Sequence, residues 1–198
     1  MEIIPLIYFK HHKIHMENND DNVSLDDFIN TIDSDQKIYI LDLDGIKKDK
    51  PNLCSFPKLS ENYEIWIDSR PVTLGDVVDS FMSGATTITI KRNLWEKLDI
   101  EQIREITENE IYAEVDLTKG NEVKTELLIY KKFDGLVIFN DKNQVESDYK
   151  YDSYLRKISS KHKTYVYEIN PDNIDYWENR GVTGLLVDIN KVGVFKKK

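Results

Sequence analysis

The chain is nearly without cysteine. Cys54 is the only one in 198 residues. No internal disulfide can form, and no zinc site built on several thiolates is available. This usage fits a reducing cytoplasm, which is the expected compartment. An excess of positive charge is also lacking. With 36 acidic residues against 27 Lys and Arg, the formal net charge is −9. That balance excludes a general nucleic-acid binder, because neutralising phosphates needs a basic surface. The tail Lys196-Lys197-Lys198 is a local exception and reads as a frayed, solvated terminus.

Long apolar runs are missing too. Segments such as 135–139 and 184–187 fall far short of the roughly 20 residues that cross a bilayer, so no membrane partner is expected. The opening MEIIPLIYFK has no basic leader before its apolar run and reads as a first strand, not a signal peptide. There is no Pro/Gly/Ser-rich linker and no low-complexity tract. With 40% hydrophobic and 32% charged residues, the chain has the balance of one globular domain spanning 1–198.

Short apolar strand candidates recur throughout, at 3–9, 38–43, 64–67, 86–90, 111–115, 136–139, 164–167 and 183–187. Most are separated by enough chain for a helix. Ser24 before Asp26 and Asp27, and Thr73 before Asp76, are N-cap signals. Gly84 and Gly181 are C-cap signals. Apolar residues at helical spacing occur in 98–106, and again after Asp148 at Tyr151, Tyr154, Leu155 and Ile158. Pro171 stands near the first turn of a further helix. Strands alternating with helices predict βαβ units and a parallel sheet. Eight strands in one domain favour a (βα)₈ TIM barrel over an open doubly wound sheet. Residues 47–60 hold two prolines and little periodicity, and only 190–198 follow the last strand. The barrel is therefore expected to be trimmed, with short or missing outer helices after strands two and eight.

Several segments carry a family resemblance. Ile3-Ile4-Pro5-Leu6-Ile7, Tyr39-Ile40-Leu41-Asp42-Leu43-Asp44-Gly45-Ile46, and Thr73-Leu74-Gly75-Asp76-Val77 through Ser83-Gly84-Ala85 lie in order along the chain. Val115-Asp116-Leu117-Thr118-Lys119-Gly120 and Asn179-Arg180-Gly181-Val182-Thr183-Gly184 follow. Together they resemble the HisA/HisF family, which contains phosphoribosylformimino-aminoimidazole carboxamide ribotide isomerase and the imidazole glycerol phosphate synthase cyclase. Each motif is weak alone; their collinearity carries the resemblance.

The resemblance implies a barrel built as a two-fold repeat of half-barrels. It also implies two aspartates, at the ends of strands one and five, acting as general acid and base. Asp116 matches the strand-five position. Tyr8 stands at the strand-one position, and a tyrosine with a reference pKa of about 10 is a poor base at neutral pH. The family grips a bisphosphate through glycine-rich turns after strands three, four, seven and eight. The corresponding turns here are Asp68-Ser69-Arg70-Pro71, Lys91-Arg92-Asn93, Glu168-Ile169-Asn170-Pro171 and Asp188-Ile189-Asn190, all without glycine. Arg70, Lys91 and Arg92 are the candidate anion-binding residues. Asp68, Glu168 and Asp188 would repel phosphate. The expectation is a divergent barrel that binds or transforms a small phosphorylated or carbonyl compound without performing the histidine-pathway isomerisation.

Asp116 and Asp44 are candidate catalytic residues because barrel chemistry sits at the C-terminal ends of the strands; Tyr8 joins them as what the resemblance places at the strand-one position. Asp42-Leu43-Asp44-Gly45-Ile46 also resembles the nucleophile motif of haloacid-dehalogenase-type phosphatases, with Asp42 attacking phosphate and Asp44 as acid/base beside magnesium. That motif normally lies on the first strand, whereas here a strand and helix precede it. His11, His12 and His15 follow the first strand and lead into the acidic run 17–22. A mobile, solvated loop is expected there, without metal, and no cofactor is implied elsewhere. A non-catalytic binding module on the same fold is the other reading. A shortened outer layer would leave an apolar patch for a second copy or a protein partner.

Overall fold

The computed structural model describes residues 1–15, 22–29, 36–95, 97–118 and 132–197. The Lys119-Gly120 end of the strand-five motif, most of the acidic run after His15, and Lys198 lie outside these residues.

Ten strands form one sheet: β1 (Glu2–Lys10), β2 (Lys13–His15), β3 (Asn22–Val23), β4 (Lys37–Asp42), β5 (Glu64–Asp68), β6 (Ala85–Ile90), β7 (Glu110–Val115), β8 (Gly135–Ile138), β9 (Lys163–Tyr167) and β10 (Gly184–Asp188). Eight of them, β1 and β4 to β10, are parallel neighbours, and β10 pairs back onto β1 from Glu2↔Gly184 to Leu6↔Asp188. The result is a closed eight-stranded parallel barrel with helices between strands. The eight barrel strands coincide, to within a residue or two, with the eight apolar segments of the sequence.

Alternation along each strand divides the apolar residues into two clusters. Ile7, Phe9, Ile38, Ile40, Ile65, Ile67, Ile88 and Ile90 face outward to the helices. Ile4, Leu6, Tyr39, Trp66, Tyr112, Val137, Tyr165 and Leu186 fill the interior. Trp66 is its centre: its ring lies 4.3 Å from Tyr112, 5.0 Å from Tyr39 and 5.0 Å from Tyr165, and its indole N–H donates to Thr89 at 2.9 Å. The barrel is therefore packed through its middle. At the N-terminal end, Glu110 accepts from Lys37 and from Lys163, both at 3.0 Å, so the inward-facing charges there are paired.

The caps form where the residue types place them. Thr73 and Asp76 close a capping box at the start of the helix Leu74–Met82. Gly84 and Gly181 take φ of 100° and 76°, a region open to glycine at little cost. After β4 the chain forms the helix Leu43–Lys48, a 3₁₀ turn Leu53–Ser55 and the helix Phe56–Ser60. After β10 it forms a 3₁₀ turn and the helix Val192–Phe195.

One expectation is corrected. Instead of a mobile loop, the chain beyond β1 turns tightly and pairs back on itself. Lys10 faces Lys13, and His15 faces Tyr8. His11 and His12 have φ of 51° and 60°, which makes a two-residue hairpin with both central residues left-handed. No helix among the described residues is long and apolar enough to cross a membrane.

Candidate functional site

The inward-facing side chains at the C-terminal strand ends define the barrel mouth. In barrel order they are Tyr8 on β1, Leu41 on β4, Asp68 on β5, Lys91 just past β6, Glu114 on β7, Phe139 just past β8, Tyr167 on β9 and Asp188 on β10.

Two polar triads stand out within this ring. The first joins adjacent strands β5, β6 and β7. The Lys91 ammonium donates to Asp68 at 2.7 Å and to Glu114. Tyr39, from the layer below, donates to the same Asp68 oxygen at 2.9 Å. Asp68 is fully buried, and its second oxygen has no hydrogen-bond partner among the described residues. The second triad joins β9, β10 and β1. The Tyr167 hydroxyl donates to Asp188 at 3.0 Å and lies 3.2 Å from the Tyr8 hydroxyl. Leu41 and Phe139 separate the triads on either side. Phe139 touches both, with Lys91 5.4 Å from its ring centre and Tyr167 5.9 Å away. A step of four strands carries the first triad onto the second and Leu41 onto Phe139. The mouth thus has two-fold placement with unlike chemistry in its halves.

The electrostatics follow from burial and pairing. Burial alone would push the Lys91 pKa down, but Asp68 and Glu114 outweigh it and raise it. Lys91 therefore stays an ammonium at neutral pH, which suits it to stabilising an anion and not to forming a Schiff base. Burial pushes Glu114 above the usual glutamate value against the opposing pull of Lys91. Burial, then the neighbouring Tyr8 and Asp188, holds Tyr167 far above an ordinary phenol.

The six residues singled out from the sequence divide between the mouth and its rim. Tyr8 and Lys91 belong to the triads. Asp116 lies two residues beyond Glu114, and its carboxylate accepts from the Thr118 N–H at 3.0 Å, the Thr118 hydroxyl at 2.7 Å and Asn140 at 3.1 Å. That geometry holds a loop. Asp44 accepts from the His11 N–H at 2.6 Å, Lys48 at 2.8 Å and Asn52 at 3.3 Å. Burial pushes its pKa up, but these donors win and leave it well below the carboxylate range. Arg70 is paired with Asp49, and Arg92 lies over the Trp95 ring at 4.7 Å. The three cations Arg70, Lys91 and Arg92 thus have separate partners. Asp42 accepts from the N–H groups of Asp44, Gly45 and Asn52 and from the Asn52 amide, at 2.7–3.2 Å. It is an N-cap with both oxygens engaged.

Glu114 and Tyr167 were not singled out from the sequence. The signal was present in the alternation Glu110, Tyr112, Glu114, Asp116, which places all four on one face of β7 and its extension. Among the described residues, no group of three or more His, Cys, Asp or Glu is placed to hold a metal ion. No family model matches the chain, and no curated protein matches it.

Proposed function

We propose that this chain is a divergent barrel of the HisA/HisF isomerase/cyclase type that binds a small carbonyl compound at its mouth and performs isomerase- or lyase-like acid–base chemistry there. The observation that carries this reading is the Lys91 ammonium, held mostly buried between Asp68 and Glu114. A fixed cation beside a carbonyl oxygen stabilises the enolate that forms when an adjacent proton leaves. Glu114, with its raised pKa, is suited to take that proton. On the far side the Tyr8 hydroxyl can turn its proton from Tyr167 to a second oxygen, while Tyr167 stays bonded to Asp188. Asp68, Glu114 and Asp188 would repel a phosphoryl group at the centre, so the carbonyl end of a substrate belongs here.

The histidine-pathway reaction does not fit. Tyr8 replaces one of its two carboxylates, and the strand-end turns lack the glycines that let backbone approach phosphate. The short elements after β4 and β10 represent a trimmed outer layer on this view, and the single free Cys54 suits a cytoplasmic setting.

The test is deuterium incorporation from D2O into dihydroxyacetone or glyceraldehyde, followed by NMR. Exchange that Glu114→Gln abolishes and Asp116→Asn spares supports the assignment. Loss with Asp116→Asn alone would return the role to the family position. Absence of exchange, with binding of either compound retained, supports a second reading: a non-catalytic binding module. The Tyr39, Trp66, Tyr112 and Tyr165 packing favours that reading, because it confines a ligand to the shallow rim.

A further inference from the structure

A second feature lies outside the mouth, on the rim above β1 and β4. His11, His12, Asp44, Lys48, Lys50 and Asn52 line a cleft of about 340 Å³. We propose that this cleft binds the phosphoryl group of a small ligand, a function distinct from the acid–base chemistry proposed for the mouth.

Charge is the first argument. In a chain of net charge −9, this corner concentrates cations: Lys48 and Lys50 in the cleft, with Lys10 and Lys13 flanking the histidine turn. The single carboxylate in the lining, Asp44, is already satisfied by the His11 N–H, Lys48 and Asn52. Asp49, next to the helix end, is taken by Arg70. Among the described residues, Lys50 has no carboxylate within ion-pair distance.

Donor placement is the second. His12 Nδ1 lies 2.9 Å from the Ser55 hydroxyl and 3.7 Å from the Cys54 thiol; in the tautomer whose Nδ1 accepts, Nε2 carries an N–H with no partner among the described residues. Lys48 lies 3.1 Å from His11 Nε2. An ammonium has no lone pair, so Lys48 donates and the imidazole accepts. An incoming dianion would draw on Lys48, Lys50 and His12 together.

Backbone conformation is the third. Two consecutive non-glycine residues hold a left-handed conformation, where asparagine and glycine are the favoured residues. Asp44 and Asn52 hold the turn by accepting the His11 and His12 N–H groups, at 2.6 and 3.1 Å. The turn so held places two imidazoles at the cleft wall.

The experiment titrates inorganic phosphate into the full chain and follows the imidazole resonances of His11 and His12 by NMR, with sodium chloride at matched ionic strength as control. We expect a saturable shift with phosphate and not with chloride. The double variant Lys48→Met with Lys50→Met should weaken binding by about tenfold or more, as loss of two charge-assisted contacts requires. His12→Gln should weaken it as well. Glu114→Gln should leave it unchanged, which separates this site from the mouth. No saturable shift at millimolar phosphate, an equal response to chloride, or binding untouched by the lysine variants would overturn the proposal.

Discussion

The hydroxyls of Tyr8 and Tyr167 lie 3.2 Å apart, although 159 residues separate them in the chain. Tyr167 donates its proton to Asp188, so it can only accept from Tyr8. The three groups form a directed chain ending on a carboxylate that is 1% exposed. Tyr8→Phe removes only the outer link and should cost about 1 kcal/mol. Tyr167→Phe takes away the hydroxyl that faces Asp188, leaving Lys191 at 3.6 Å, and should cost about 1–3 kcal/mol. Urea denaturation of both variants checks the order; equal costs would mean that the chain is not directed.

Lys91 holds two carboxylates together. Lys91→Met leaves Asp68, fully buried, without its cation. The loss should be about 3–5 kcal/mol, the range for breaking a buried pair from one side, reduced somewhat because Glu114 is 26% exposed. Adding Asp68→Asn should restore part of it. Denaturant midpoints of the single and double variants measure this coupling, and strict additivity would refute it.

Acid should act through the depressed carboxylates. Burial raises the pKa of Glu110 and of Asp152. Lys37 and Lys163 outweigh it for the first, Arg156 and Arg180 for the second, and both fall below their ordinary values of 4.5 and 3.8. A group lowered on folding stabilises fully above its unfolded pKa and loses that contribution as pH falls through the folded one. Stability should therefore decline below about pH 4–5. Glu110→Gln should flatten that decline while lowering stability at neutral pH. Glu114 and Asp42, both raised by burial, act with the opposite sign. Urea midpoints across acid pH give the slopes to compare.

Gly135 begins β8 where β7 and β9 approach closely. A Cβ there would meet the Tyr112 ring at 2.3 Å and the Lys163 carbonyl at 2.5 Å. Gly135→Ala should destabilise by about 1–3 kcal/mol through overpacking. Tyr112→Leu relieves only the ring contact, so the double variant should recover part of the loss at most. A thermal melt with no change for Gly135→Ala would contradict this packing.

Asp42 serves the backbone. Asp42→Ala strands the donors of the β4 loop and should cost about 2–3 kcal/mol, a cap plus buried donors left unmade. Under the phosphatase resemblance, the same residue would be a nucleophile. A magnesium-dependent phosphatase assay that shows turnover abolished by Asp42→Asn, with the fold retained, would restore that role.

Much of the barrel was legible in the chain order of its residues. Short apolar runs marked all eight barrel strands, because each must bury one face on the interior and the other on helices. Caps such as Thr73 with Asp76, and Gly84, marked helix ends, since the free backbone groups there need local partners. The mouth was less legible. Tyr8 and Lys91 were named from the family resemblance, as residues at the strand-one and strand-four ends. Asp116 drew attention ahead of Glu114, yet the Asp116 carboxylate holds a loop while Glu114 meets Lys91. Local pattern gives the face of a side chain but not its height along the barrel axis.

The sequence by itself determined the apolar content that a packed core needs, the strand positions, and the negative balance of charge. Each is a local or additive property of the residues. Only closure of β10 onto β1 decided that Tyr8, Tyr167 and Asp188 share one corner. The parallel register of β5, β6 and β7 brought Asp68, Lys91 and Glu114 together, and the β1–β2 turn set His11 and His12 beside the loop after β4. These groupings depend on pairing between segments distant in the chain, which no local pattern of residues carries.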